Sequence, residues 1–175
     1  MEAFIQNTPR DRFASAFQLL PVNPPYDTAR TLQVMRYLVR HSDGDEVVRR
    51  MATRIIEKCH GHDFMCEIKA LFEFVRDETI YRRDPVQVER IQDARRTIEF
   101  RTGDCDDKVI LLASLLGAIG HPSRFVVIGP AVNHYSHVYL EVATDRGWLP
   151  LDPTNENAAM GWEAKGIRQS FPIWE

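Results

Sequence analysis

A cysteine in the first turn of a buried helix is well placed to be a nucleophile, and the sequence puts Cys105 there. Gly103-Asp104-Cys105 opens the run DDKVILLASLLGAI, which is apolar nearly all round and is stopped by Gly120 and Pro122. That pattern predicts a helix in the centre of the domain. Unpaired backbone N–H groups and the positive end of the helix dipole favour a thiolate at such a position. Asp104, Asp106 and Asp107 pull the other way, because neighbouring negative charge raises a thiol pKa. The thiol therefore needs a cationic partner, and an imidazolium is the natural one.

Six histidines are available, and strand geometry selects among them. The segments SHVYLEVA and GWLPLD alternate with period two and flank Thr144-Asp145-Arg146-Gly147, so they read as a hairpin. A turn centred on Thr144 and Asp145 pairs Glu141 with Trp148, Tyr139 with Pro150, and His137 with Asp152. Opposed residues have Cβ atoms about 4.5–5.5 Å apart, close enough for an imidazole to reach a carboxylate. Val138, Leu140, Val142, Leu149 and Leu151 share one face, and His137, Tyr139 and Asp152 the other. A bulge in the hairpin would shift this register. With Cys105 as nucleophile, His137 as base and acid, and Asp152 fixing the tautomer, the chemistry is acyl transfer through a thioester. The same residues also describe an ordinary buried helix cysteine and an ordinary strand histidine, which is the commoner situation for those residue types.

The ordered blocks shift that balance. Gly103-Asp104-Cys105-Asp106-Asp107, then His137-Val138-Tyr139 with Glu141, then Trp148 through Asp152-Pro153-Thr154 resemble the core of the transglutaminase-like superfamily. The likeness reaches back to Phe74-Val75-Arg76-Asp77, Ile80-Tyr81 and Asp84-Pro85, and covers about residues 63–154. Three blocks in order are far more specific than any one of them. The resemblance implies an α+β, papain-like fold, with N-terminal helices and a central buried helix packed on an antiparallel sheet. It also implies the triad Cys105, His137 and Asp152, acting without cofactor or metal on a protein or peptide substrate. The small size is similar to that of transglutaminase-like proteins of bacteria and phages. For the oxyanion, the backbone N–H of Cys105 needs a second donor, and Gln92 and Tyr81 are the candidates.

The acceptor decides the reaction. Water makes the protein a cysteine peptidase or amidase, whereas an amine makes it a protein-glutamine transglutaminase. Hydrolysis is preferred because no amine-binding or calcium-binding module is evident to exclude water from a thioester. A reading of a different class is a binding or assembly module with idle chemistry, which the complete triad counts against.

Other residues invite rival readings. Cys59, His60, His62 and Cys66 carry a zinc-like ligand set, but their crowding into eight residues matches no common zinc motif, so helix-end and core roles are preferred. His134 competes with His137 but has no opposed carboxylate in the proposed register. Trp148, Trp162 and Trp174 are expected to close the core rather than line a groove.

The elements that must hold these groups follow from the rest of the chain. Residues 1–26, with Pro9, Pro21, Pro24 and Pro25, read as an irregular arm pinned by Phe13, Phe17 and Leu20. Helices are expected from Asp27 to Ser42, from about Asp45 to Lys58, and from Asp63 to about Glu78. Residues 86–102 read as a loop with a helical turn near Gln87 to Arg95. RFVVIG, SHVYLEVA and GWLPLD are strands, and residues 155–175 are a tail that wraps the sheet. At 175 residues this is one domain, with core 27–154. Apolar content of 44% and a net charge of -3 exclude disorder. No basic stripe of the kind that tracks nucleic acid stands out. No apolar run approaches a membrane span, and MEAFIQNTPRDRF lacks the pattern of a secretory leader. With three cysteines, an odd number, the expectation is free thiols in a reducing cytoplasm, with neither nucleic acid nor membrane as partner.

Overall fold

Leu32, Met35, Leu38 and Val39 recur at helical spacing, and helix α1 (Thr28–Ser42) buries all four. The computed structural model describes residues 17–21, 28–42, 44–84 and 88–174. The anchoring expected of Phe13, Phe17 and Leu20, the Asp27 cap and the Pro85 break lie outside what is described. Helix α2 (Glu46–Ile55) starts at Asp45, whose carboxylate accepts from the N–H of Val47 and Val48, and it ends three residues short of the expected Lys58. Helix α3 (Phe64–Glu78) is capped by Asp63 and buries Ile68, Leu71, Phe72 and Val75.

Two stretches differ from the sequence reading. The arm contributes strand β1 (Phe17–Pro21), which pairs antiparallel with β3 (Val88–Gln92). Beyond β3, Asp93 caps helix α4 (Ala94–Phe100) through its bond from the Arg96 N–H. Over residues 88–100 the expected loop is therefore a strand and a helix. Between α3 and β3, the short strand β2 (Ile80–Tyr81) pairs parallel with β4 (Thr102–Gly103), the two residues that lead toward Cys105.

Helix α5 (Cys105–Ala118) is the centre of the domain: every residue from Asp106 to Leu116 is buried. It packs against the other four helices and against β5 (Ser123–Gly129) and β6 (His137–Thr144). The sheet is antiparallel, in the order β7 (Gly147–Leu151), β6, β5, β8 (Ile167–Pro172). The expected tail thus supplies an edge strand, β8, paired along β5.

The hairpin register also needs correction. Leu140 pairs with Leu151, Glu141 with Pro150 and Thr144 with Gly147, so the turn sits on Asp145 and Arg146, one residue later than expected. Gly147 takes φ +111°, a value that favours glycine, and this fixes where the turn can close. Asp152 follows the end of the ladder and is not the cross-strand partner of His137. The two-residue change in pairing preserves parity, so Val138, Leu140, Val142 and Leu151 still enter the main core. No helix among the described residues is long and apolar enough to cross a membrane.

Candidate active site

The start of α5, where Cys105 stands, is built by a capping box. Asp104 precedes α5 in extended conformation and its carboxylate accepts from the N–H of Asp106 and Asp107, while Asp107 reaches back to the Asp104 N–H. The N–H of Cys105 is left outside this box. Gly103 is required here, because a Cβ on it would lie 2.6 Å from Asp107 Cβ.

Cys105 is half-buried and is the free thiol of the described residues. Its Sγ donates to Asp106 Oδ1 at 3.6 Å. Burial, then the Asp106 and Asp104 carboxylates, push this thiol well above its ordinary pKa, against a backbone hydrogen bond from Val138 that favours the thiolate. The bond to Val138 ties the Cys105 sulfur to the start of β6, at the residue that follows His137 in sequence. His137 Nε2 lies 2.8 Å from Asp152 Oδ2, so Nδ1 is the ring nitrogen not engaged by this carboxylate.

Asp152 is 2% exposed and its second oxygen is held as firmly as the first. Oδ1 accepts from the Thr154 N–H at 3.0 Å and from the Thr154 hydroxyl at 2.6 Å. Burial opposes ionisation of this carboxyl, but the hydrogen bond and charge of His137 and the two bonds from Thr154 outweigh it and hold it below its ordinary value. Asp152-Pro153-Thr154 could have been read as this clamp from sequence, since an Asx-turn joins a side-chain oxygen to the N–H two residues on.

The two oxyanion candidates part company. Gln92 is 1% exposed, and its Nε2 donates to Asp107 Oδ2 at 2.5 Å and to the Thr102 carbonyl at 3.2 Å. Its backbone N–H also donates to Asp107, at 2.7 Å. Both amide hydrogens are thus directed at structure, and Gln92 ties β3 to the first turn of α5. Tyr81 is 38% exposed and pairs with Gly103, two residues before Cys105; burial and then the Cys105 charge raise its hydroxyl pKa, against a hydrogen bond with Arg83.

Other expected groups lie elsewhere. His134 is exposed in the connection between β5 and β6, bridged to Ala131. Cys59 and Cys66 are joined in a disulfide, so they are not thiolate ligands, and His60 and His62 are exposed. This corrects the expectation of three free thiols and removes the cysteine argument for a reducing compartment. Among the described residues no group of His, Cys, Asp or Glu is placed to hold a metal. Trp148, Trp162 and Trp174 are 43%, 41% and 44% exposed, so they do not close the core. The Arg124 guanidinium lies 4.1 Å from the Trp148 ring, a cation–π contact that accounts for one of them. Sequence reasoning missed Lys108, a fully buried lysine in the same helix turn as the thiol.

Comparison with known proteins agrees with this architecture. Residues 49–153 match the family model of the transglutaminase-like superfamily. Among solved structures, a proposed cysteine protease from Cytophaga hutchinsonii aligns with TM-score 0.53 and 18% identity, over 89% of this chain and 60% of that one. Calcium-bound LapG from Legionella pneumophila aligns with TM-score 0.51 and 19% identity, over 72% of this chain and 74% of that one. A proposed protease from Parabacteroides distasonis aligns with TM-score 0.53 and 12% identity, over 69% of this chain but 26% of that one. This chain thus spans less than two thirds of two of these relatives. A search of curated protein sequences gave no match. At these identities the structural likeness concerns the fold, which is transglutaminase-like and papain-like.

Proposed function

Since the chain belongs to the transglutaminase-like superfamily, we propose that it performs thiol-dependent acyl chemistry on peptide or amide bonds, with hydrolysis as the outcome. The observation that carries the reading is the His137–Asp152 pair at 2.8 Å, together with a first-turn cysteine whose sulfur meets the backbone of Val138, the residue after His137. His137 Nδ1 takes the Cys105 proton as sulfur attacks the carbonyl carbon. The resulting oxyanion is met by the Cys105 N–H and by the Tyr81 hydroxyl, carried on the strand that pairs with Gly103 just ahead of the thiol. Collapse breaks the C–N bond, and the imidazolium gives its proton to the leaving amine. A thioester remains, and water activated by His137 releases the acid and restores the thiol. Asp152 keeps the imidazole in one tautomer throughout, itself fixed by Thr154.

Water is favoured as acceptor because the site is open. The His137 side chain is 24% exposed, and Ile80 beside Tyr81 is 69% exposed. The test is product analysis by mass spectrometry with glutamine-containing peptides and casein, with and without millimolar primary amine. The reading expects free carboxylate to predominate and Cys105→Ala to abolish it. Predominant amine adducts would replace hydrolysis by transfer, and turnover by Cys105→Ala would remove the nucleophile.

A further inference from the structure

His137, Tyr139 and Glu141 occupy alternate positions of β6 and share the sheet face opposite to the one that Val138, Leu140 and Val142 pack into the main core. On that face the Tyr139 ring stacks, offset, on the His137 imidazole, with centroids 6.4 Å apart and planes at 24°. Tyr139 is fully buried, and its hydroxyl donates to Glu163 Oε2 at 2.8 Å. Arg168 Nη1 donates to the same carboxylate oxygen at 2.6 Å, to Glu141 Oε1 at 3.0 Å and to the Tyr139 hydroxyl at 3.4 Å. Glu141, itself buried, is held on its other oxygen by Arg124 Nε at 2.7 Å. Glu163 belongs to the strap of residues 152–166, which begins at Asp152 and crosses to β8. Ala164, the next residue of the strap, packs on Val126, Ile128 and Tyr139.

The need for such a tie follows from the hairpin register. The ladder between β6 and β7 stops at Leu140 and Leu151, so backbone pairing between these strands does not align His137 with Asp152. His137 is placed by its pairing with Ile128 of β5, whereas Asp152 opens the strap. Side chains must therefore set one against the other. The His137–Asp152 hydrogen bond is one link between the two elements, and the Tyr139–Glu163 bond is a second. We propose that Tyr139 and Glu163 form a positioning pair for the reaction: their hydrogen bond fastens the strap that opens with Asp152 to the strand that carries His137, and it fixes the tyrosine ring as the wall against which the imidazole is set. The inference rests on the triad reading and deepens it. Neither side chain takes part in proton transfer; both act through the geometry of His137 and Asp152.

The test follows the His137 Nε2–H proton by nitrogen-15 NMR in the intact protein, beside steady-state turnover of casein. One hydrogen bond of this kind shifts a local equilibrium by a factor of about 3–10. In Glu163→Ala and in Tyr139→Phe the proton should exchange with water faster by about that factor, and kcat should fall by a similar one with KM within about twofold. The double variant should lose no more than either change alone, because both break the same link. Glu163→Gln keeps an acceptor oxygen for the hydroxyl and should return both readouts to near the wild-type values. A role in stability alone would lower the melting temperature while leaving proton exchange and kcat unmoved, and that result overturns the proposal, as do fully additive losses in the double variant. Should Tyr139→Phe fail to fold, Glu163→Ala, at a side chain 40% exposed, decides alone. Should casein not be turned over, the exchange rates decide, and an unchanged rate in Glu163→Ala overturns the pair. His137→Ala separates the two levels. If Cys105 alkylates with iodoacetamide at the same rate in His137→Ala, the triad reading fails and takes the positioning pair with it. If alkylation slows in His137→Ala while Glu163→Ala leaves proton exchange unchanged, the positioning pair alone fails.

Discussion

Asp106→Asn tests whether the charge around Cys105 acts on the thiol as the geometry requires. The substitution keeps size and an acceptor oxygen but removes the carboxylate that takes the Cys105 S–H at 3.6 Å. Two unit charges at that separation repel by about 1 kcal/mol when screened as in bulk water, and by about 4–5 kcal/mol at the effective permittivity of a partly buried pair. Asp106 is 7% exposed and Cys105 half-buried, so the lower figure is a floor. Even the floor multiplies the thiolate fraction roughly sevenfold below the thiol pKa. A less basic thiolate is also a poorer nucleophile, with a Brønsted slope of about 0.4–0.5, so the net gain in rate at pH 7 is about threefold.

The assay is iodoacetamide alkylation followed by intact mass under non-reducing conditions, where Cys59 and Cys66 are tied together and Cys105 reports alone among the described cysteines. From pH 5 to 10 both profiles should rise, with Asp106→Asn the faster throughout, because the raised pKa keeps the wild-type thiol largely protonated over this window. Coincident profiles, or a variant slower at pH 7, would refute the claim that Asp106 holds the thiol protonated.

Asp152→Asn should fold normally and lose turnover by about 10²–10⁴-fold, read from steady-state kinetics beside far-UV circular dichroism. Because the Asp152 carboxyl is held below its ordinary value, the stability it adds is full above the usual carboxylate range and is lost as pH falls through its folded pKa. Urea midpoints between pH 5 and 2 should therefore fall more steeply in the wild type than in Asp152→Asn. Gly103→Ala places a methyl 2.6 Å from Asp107 Cβ and must push aside the carboxylate that holds Gln92, so the melting temperature should drop by roughly 5 °C or more. Reducing the Cys59–Cys66 bond, whose partners are seven residues apart, should cost about 2.5 kcal/mol by loop entropy, or roughly 5–10 °C. An intact mass unchanged by reduction would show that the bond is not formed.

What was legible in the sequence was what local pattern encodes. The apolar run after Cys105 could only be a buried helix, and the alternation in SHVYLEVA could only be a strand with Val138, Leu140 and Val142 inward. A cap was readable too, since Asp63 stands immediately before apolar periodicity and does cap α3. The strands that went unread have partners far away in sequence. Phe17–Pro21 pairs with Val88–Gln92, and Ile167–Pro172 gains its conformation from β5, on an edge where its first four residues stay exposed. The Cys59–Cys66 pairing depends on how α2 and α3 meet, which no spacing rule supplies. Gln92 was misread for a related reason. Its side-chain type is right for an oxyanion donor, but its destination is set by Asp107, fifteen residues further on and in reach only after β3 has docked on α5.

An acidic surround raises the pKa of a thiol, yet two of the three carboxylates around Cys105 have tasks that have nothing to do with sulfur. Asp104 is the N-cap of α5, and Asp107 completes the capping box and holds Gln92 through two further bonds. A helix that begins at the nucleophile needs its first N–H groups satisfied, and carboxylates in the first turn do this best. Their charge is a consequence of building the helix where the chemistry requires it. Asp106 is different, since its carboxylate touches the thiol itself. If Asp106→Asn alkylates faster at pH 7 but turns over substrate more slowly, the carboxylate is a restraint that keeps sulfur protonated until His137 takes the proton during attack. If both rates rise, Asp106 too is there for the fold, and the acidic turn is tolerated because the pair of His137 and Asp152 supplies basicity enough to overcome it.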